Sequence, residues 1–267
     1  MSNRGAKGKV ILAGAGPGDA ELITVKLQRR LAEAEVIIAD RLVNPSIIDN
    51  NASKDSLVIH AGKQGYNDAS FSQDQVNDLI IHHALEGKTV LRLKGGDIAF
   101  FSNVLDELKA IAEHELEFEI IPGITAAAGA SAYAGIPLTA RGYSQGVQLV
   151  TYNPNSLYNP EKWKCLASSG DTLVFYMSAK NITDLAELLL RYSKKPNTPL
   201  AIIEQATTEF QQIHLTTLID CAVEFADKTF SSPSLVIVGE VVRLHEQFNW
   251  YNKEEKAGSV FKELVTE

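Results

Sequence analysis

An α/β fold of two domains, each a sheet flanked by helices, is predicted by three features of this sequence. Short runs rich in Val, Ile and Leu recur along its 267 residues. Charged, periodic segments lie between several of them, and glycine-rich turns follow the runs at 14–18 and 95–96. Runs of this composition suit buried strands, and repetition of strand and helix favours sheets covered by helices.

In chain order the strands are predicted at 9–14, 36–40, 56–62, 89–96, 118–123, 147–152, 171–177, 199–204 and 234–240. Helices are predicted over 21–34, 72–87, 104–115 and 181–193, the last with its apolar residues on one helical face. Ser72 and Asn181 are suitable N-caps, and Gly87 stops the second helix. Pro, Gly and polar residues gather at 137–146, which places a domain junction there. The expected organisation is an N-terminal domain over 1–138 carrying the glycine-rich loops, a C-terminal domain over 139–248 and a polar, frayed tail over 249–267. The polar stretch 153–165 reads as a loop lying over a site.

Composition narrows the class. Apolar residues make up 45% and charged residues 22%, enough for a globular chain with a real core. The net charge of -8 argues against general nucleic-acid binding, which needs a basic footprint, yet leaves room for a local basic pocket. Cys165 and Cys221 are the only cysteines, too few for a disulfide framework or a metal cluster. No metal is expected, and a reducing compartment is. The N-terminal lead is polar, and no apolar run approaches the ~18 residues of a membrane span. The expectation is a cytoplasmic chain with no membrane partner.

Three segments carry the chemistry. AGAGPGDAEL (13–22) joins the first strand to the first helix, where ligands meet strand ends in α/β sheets. With Asp40 ending the second strand, a dinucleotide site is one reading. It is weakened because the fingerprint needs glycine at 19, where Asp19 stands, and because Pro17 removes a backbone donor inside the turn. The plainer reading is a tight turn capped by Asp19. KGGDIAFFS (94–102) repeats the situation: Gly95 and Gly96 leave backbone groups open, and Asp97 suits a hydroxyl or an amine. The third segment, IPGITAAAGASAYAGIPLT (121–139), is a Pro-Gly turn followed by small residues, fit for close approach to a ligand or for a tightly packed helix. Met177, at a strand end, also fits simple core filling.

Taken in order, GAGPGD (14–19), DRLVNP (40–45), AGK (61–63), RLKGGD (92–97), PGITAAAGASAYAGIPLT (122–139), LVFYM (173–177) and PSLVIVGEVVRL (233–244) resemble the tetrapyrrole methylases, most closely the uroporphyrinogen-III C-methyltransferase branch. The resemblance runs from about Lys9 to about Leu244. It implies two α/β domains with S-adenosylmethionine in the cleft between them, a homodimer, and methyl transfer to ring carbons of a tetrapyrrole. In that branch C-2 and C-7 of uroporphyrinogen-III are methylated to precorrin-2, which feeds porphyrin-type biosynthesis of siroheme, cobalamin or heme d1. Residue by residue, it implies cofactor contacts at Pro17, Gly95, Gly96, Asp97, Phe100, Thr125, Ala126, Met177 and Ala206. It implies acid–base roles for Asp40 and Lys63 and a substrate-side role for Arg141.

The chain departs from the pattern on the substrate side. After GGD the family reads P-F-V-F-G-R-G-G-E-E, and the same positions here run Ile98, Ala99, Phe100, Phe101, Ser102, Asn103, Val104, Leu105, Asp106, Glu107. Asn103 replaces an arginine, Gln64 a second cation after AGK, and Ala140 a histidine. The segment from Ser102 is expected to be a helix start capped by Ser102 or Asn103, with Asp106 and Glu107 at the positive end of its dipole. Three readings stay open: the uroporphyrinogen-III enzyme, a methylase of another precorrin, and a non-catalytic relative that binds cofactor or tetrapyrrole.

Overall fold

The computed structural model describes residues 7–61, 71–155, 159–251 and 256–261. The chain divides into two compact units, 1–126 with 259–267, and 127–258.

In the first unit the order is β1 (Lys9–Gly14), α1 (Val25–Glu33), β2 (Val36–Ala39), α2 (Pro45–Asn51), β3 (Leu57–His60), α3 (Gln73–Leu85), β4 (Val90–Lys94), α4 (Leu105–Glu113) and β5 (Glu117–Ile121). The strands are parallel in the order β3-β2-β4-β1-β5. Side chains alternate across a strand, so the apolar runs feed two cores. Ile11, Ala13, Ile37, Ala39, Leu91 and Leu93 meet Leu27 and Leu31 of α1 and Ile47 of α2. Val10, Leu12, Val36, Ile38 and Val90 meet Val76 and Ile80 of α3 and Ile111 of α4. The chain therefore leaves β1 toward one face and the adjacent β4 toward the other. Diverging connections at neighbouring strand ends open a crevice, the usual ligand position of such sheets.

β5 is an edge strand held by charge. Glu119 accepts from Lys26 Nζ at 2.6 Å, Arg30 Nε at 3.1 Å and Lys9 Nζ at 3.2 Å. The Lys26 contact, with Arg30 and Lys9 acting against burial, holds the Glu119 carboxyl down at about 2 from an ordinary 4.5. A carboxylate whose folded value is depressed adds stability above its ordinary value and loses it as pH falls toward the folded one. The difference in Tm between wild type and Glu119→Gln is expected to be constant above about pH 6 and to close as pH falls from there toward 2. A gap that persists in acid would remove the charge from the explanation.

The second unit contains α5 (Ala126–Ala134), β6 (Val147–Thr151), α6 (Pro160–Ser168), β7 (Thr172–Tyr176), α7 (Ile182–Arg191), β8 (Pro199–Glu204), β9 (Gln212–Thr217), α8 (Cys221–Glu224), β10 (Ser234–Val238) and α9 (His245–Phe248). Its sheet order is β6-β7-β10-β8-β9, with β6 and β7 parallel and the other pairs antiparallel. Trp163 of α6 and Leu185 and Leu189 of α7 cover one face through Phe175, Leu200, Ile202 and Val236. Ala127, Ala130 and Ala134 of α5 cover the other through Val174, Ala201, Ile203 and Ile237. Cys165 and Cys221 are both free thiols.

Several expectations need correction. The division falls after Ala126, ahead of 137–146, because α5 packs its alanines on the second sheet. The described part of 249–267 is anchored: Trp250 Nε1 donates to Ala132 O at 2.8 Å, the Tyr251 ring lies 4.7 Å from Tyr133, and Phe261 is buried. The 153–165 loop ends early, since Asn159 accepts from Lys162 N and starts α6 with Pro160 in its first turn. The 21–34 helix is a short turn at Ala20–Leu22 followed by α1, which Thr24 caps. Ser72 caps α3 as expected, in a reciprocal pair with Gln75, and Gly87 follows that helix at φ 87°. Asn181 precedes α7 without a side-chain cap bond.

Candidate functional site

The glycine-rich segments of the first unit converge at the crevice between the ends of β1 and β4. Ala15 N donates to Lys94 O at 2.7 Å, and Gly16 and Gly96 exchange backbone bonds at 3.0 and 2.7 Å. The approach is too close for side chains. A Cβ on Gly14 would lie 2.6 Å from Gly96 O, and one on Gly123 would lie 2.4 Å from it. At Gly96 itself, φ is 70° and a Cβ would meet nothing nearer than Ala126 N at 3.8 Å, so its outer side is open.

Asp97 binds this cradle together. Its Oδ1 accepts from Ala99 N at 2.8 Å and its Oδ2 from Gly123 N at 2.7 Å, with the residue only 6% exposed. Gly123 opens the PGITAAAG segment, so one carboxylate joins the second and third glycine loops. Pro17 is buried in the first loop, whose Gly18 O accepts from Asn44 Nδ2 at 2.7 Å. Asp19 caps the turn after it through Glu21 N, the plainer of the two readings of that residue. Asp40, half-buried at the end of β2, donates its N–H to Leu93 O at 2.9 Å and accepts from Arg41 N through Oδ1 at 2.8 Å. Burial pushes the neighbouring Arg41 guanidinium down, against the pull of Asp40.

Pro17, Gly95, Gly96, Asp97, Thr125 and Ala126 thus belong to one constellation, with Asp40 on the adjoining strand. Phe100 stands on the loop's outer side, 44% exposed, followed by Phe101 at 42% with φ 53°. Lys63 lies outside the described residues. In the second unit, Met177 and Ala206 follow β7 and β8, the two strands flanking β10, and so share one end of the sheet. Met177 is 67% exposed at φ 56°, which rules out core filling. Ala206 is buried between Gln205 at φ 46° and Thr207 at φ 70°. Positive φ on a β-branched residue is a genuine outlier, and such strain gathers at functional sites. Arg141, in the second unit, is exposed in the turn that the Ala140–Ser144 backbone bonds close.

One cluster was not expected. On β4, Arg92 and Lys94 share a face, and both are buried against Glu107 of α4, which is 0% exposed. Arg92 Nε donates to Glu107 Oε1 at 3.0 Å, and Lys94 Nζ lies 3.0 Å from each carboxylate oxygen. Arg92 Nη1 also reaches Ile38 O at 3.2 Å. Burial pushes the Lys94 ammonium down, Glu107 pulls it up, and Arg92 beside it works with burial. Two cations at alternate positions of an otherwise apolar strand were the signal: both must face one way, and there they need an anion.

This cluster corrects the reading of the following loop. Glu107 stands in the first turn of α4 as expected, with Asp106, and there it is also the ion-pair partner of both cations. Neither Ser102 nor Asn103 caps α4: Val104 stands at the cap without a side-chain bond, Ser102 Oγ donates to Ile98 O, and Asn103 Nδ2 donates to Asp106 at 3.2 Å. Ile98, in place of the proline, fills the core under α3 and α4.

A family model for Tetrapyrrole (Corrin/Porphyrin) Methylases matches residues 9–222. The chain belongs to this family. A siroheme synthase of Saccharophagus degradans is 40% identical over 244 residues, covering 91% of this chain and 53% of that protein. The methylase chain thus spans about half the length of the curated relatives it matches. Uroporphyrin-III C-methyltransferase from Thermus thermophilus, solved in complex with S-adenyl homocysteine, is 31% identical with a TM-score of 0.74, over 89% of this chain and 94% of that one. A cobalt precorrin-4 methyltransferase, at 24% identity, shares the fold with a TM-score of 0.78 over 88% of this chain and 95% of that one. Among the described residues, no helix of this methylase is long and apolar enough to cross a membrane.

Proposed function

We propose that this tetrapyrrole methylase transfers methyl groups from S-adenosylmethionine to C-2 and C-7 of uroporphyrinogen-III, giving precorrin-2. The observation that carries the reading is the Gly14–Gly96–Asp97–Gly123 cradle at the crevice between β1 and β4. It fits the cofactor: Gly96 is open outward, backbone groups crowd beside it, and exposed Phe100 and Phe101 offer flat apolar surface to an adenine. The likeness to the Thermus thermophilus protein, solved with S-adenyl homocysteine, supports the same reading.

The bound cofactor supplies an electrophilic methyl on a sulfonium. The protein has to place the ring carbon in line behind that methyl and exclude water. In this reading Gly95 and Gly96 present backbone to the cofactor, while Asp97 keeps their loop in place. Asp40, half-buried beside that loop, accepts the proton that the methylated ring carbon releases. Lys63 manages a second proton or holds a substrate carboxylate. Arg141, exposed and cationic, suits the octacarboxylic substrate, for which arginine is the better partner. Met177 and Ala206 complete the cofactor contacts, and two copies of the chain form the active dimer, which light scattering in solution would check.

A second reading is favoured by Asn103. Its side chain is engaged with Asp106, where the family pattern has an arginine, so a different or less anionic tetrapyrrole, or binding without turnover, follows. Uroporphyrinogen-III and methyl-labelled S-adenosylmethionine, with products read by mass, separate these outcomes. A gain of two methyls is expected. Transfer only to another precorrin would move the substrate. Cofactor binding without transfer to any tetrapyrrole would make the chain a binding protein, and neither binding nor transfer would overturn both readings.

A further inference from the structure

We propose that the Arg92–Glu107–Lys94 cluster is a clamp that sets the position of the Gly95–Asp97 loop, with Glu107 as its positioning residue. The inference rests on the reading of that loop as the cofactor cradle and assigns a role to three residues outside it.

The connection from β4 to α4 covers 95–104, and the clamp grips both its ends. Lys94 is the last residue of β4 and Glu107 lies in the first turn of α4. A single carboxylate, fully buried, takes Nζ of one end and the guanidinium of Arg92 two residues earlier. Arg92 in turn donates to Ile38 O, which ties the group to β2, the strand that leads into Asp40. The loop so held works at narrow clearances. Gly95 packs where a Cβ would be 2.6 Å from Leu42 O, and Gly96 O fills the space that side chains at 14 and 123 would need. Shifts of a few tenths of an ångström at Lys94 would therefore open the cradle or jam it.

Stability does not account for the cluster. Buried ion groups are often no more stabilising than apolar residues of the same volume, because desolvation offsets the attraction. Here burial disfavours the Lys94 charge in the folded chain. What the charges supply is direction: fixed bond angles and lengths between strand and helix, which apolar packing does not specify. The arrangement also fits a loop that departs, beyond Asp97, from the glycines and arginine of the family pattern. The changed positions, Ile98 to Leu105, lie between two ends that the clamp holds, and the loop absorbs the change through left-handed residues at Phe101 and Asn103.

The test is S-adenosylhomocysteine affinity by calorimetry, beside thermal melting. The triple variant Arg92→Leu, Lys94→Met, Glu107→Leu removes all three charges while keeping volume. It is expected to fold with a Tm near or above wild type and to bind at least about tenfold more weakly, as misplaced binding groups do. Affinity within twofold of wild type in the folded triple variant would overturn the proposal. If that variant does not fold, Glu107→Asp decides: it keeps the charge, retracts the carboxylate, and is expected to bind several-fold more weakly with the fold intact. Unchanged affinity in it would again overturn the clamp. Absence of binding by wild type would instead overturn the cofactor reading, and the clamp with it.

Discussion

Glu107→Ala is expected to lower the unfolding free energy by about 3–5 kcal/mol, measured by urea unfolding followed by circular dichroism. The side chain is 0% exposed, and its two oxygens take bonds from both Arg92 and Lys94. Removing it leaves two cations, 4% and 5% exposed, without the carboxylate that both are bonded to. Little of either is open to water, and each keeps most of its desolvation penalty, Arg92 retaining only its bonds to the Ile38 and Leu93 carbonyls. The size of the loss comes from the charges left behind, not from the worth of the cluster. In the Arg92→Leu, Lys94→Met background Glu107 is instead the buried charge without a partner, so the same mutation there is expected to cost nothing or to stabilise, with the cavity offsetting part of the gain. A loss under about 1 kcal/mol in the single variant would show that Arg92 and Lys94 find other partners or water, and that Glu107 is not their counter-ion.

Most of the fold was legible because strands buried on both faces are written as apolar runs. Val10 to Ala13, Val36 to Ala39 and Leu235 to Val238 have few other places to go. β9 (QIHLTT) was not legible for the opposite reason: an edge strand, half-exposed, it has only Ile213 and Leu215 as apolar residues, too few to make a run. In sequence, α5 fits a helix or a ligand segment equally, since alanine and glycine record close approach without saying to what. It proves to be a helix pressed on the second sheet, with Thr125 and Ala126 at its start. The domain junction was misplaced through that helix. Pro and Gly at 137–146 mark a real turn, but a turn inside the second unit.

At the site, the glycine loops were legible and their reason was not. Gly14, Gly96 and Gly123 read as room for a ligand, whereas the first demand on them is room for one another. Met177 was open to a core role because its type is apolar, and only its backbone at φ 56° with 67% exposure removes that reading. Glu107 read as one of two acids at a helix start, Asp106 and Glu107, which sequence treats alike. Helical geometry separates them: Asp106 faces Asn103, and Glu107 turns inward to the cations of β4. The buried cluster was missed because each of its members is an ordinary surface residue when taken alone.

Asp97→Ala is expected to weaken S-adenosylhomocysteine binding by tenfold or more, about 1.4 kcal/mol or above, and to lower Tm together with affinity. The two losses should travel together because Asp97 acts on the cradle before it acts on a ligand. Its oxygens hold Ala99 N and Gly123 N, and without them two backbone donors at the crevice lose their partner. Bonds to a charged acceptor contribute about 1.5–3 kcal/mol each, so part of the loss falls on the fold. Asp97→Asn separates the possibilities. Asparagine keeps one acceptor oxygen but turns an amide toward the other N–H, so it restores one of the two bonds and only part of both losses. Were Asp97 simply an acceptor for the cofactor's hydroxyl or amine, the alanine variant would lose affinity at unchanged Tm. Calorimetry and melting on the same preparations decide it, and unchanged affinity in Asp97→Ala would remove the 95–97 loop from the cofactor site altogether.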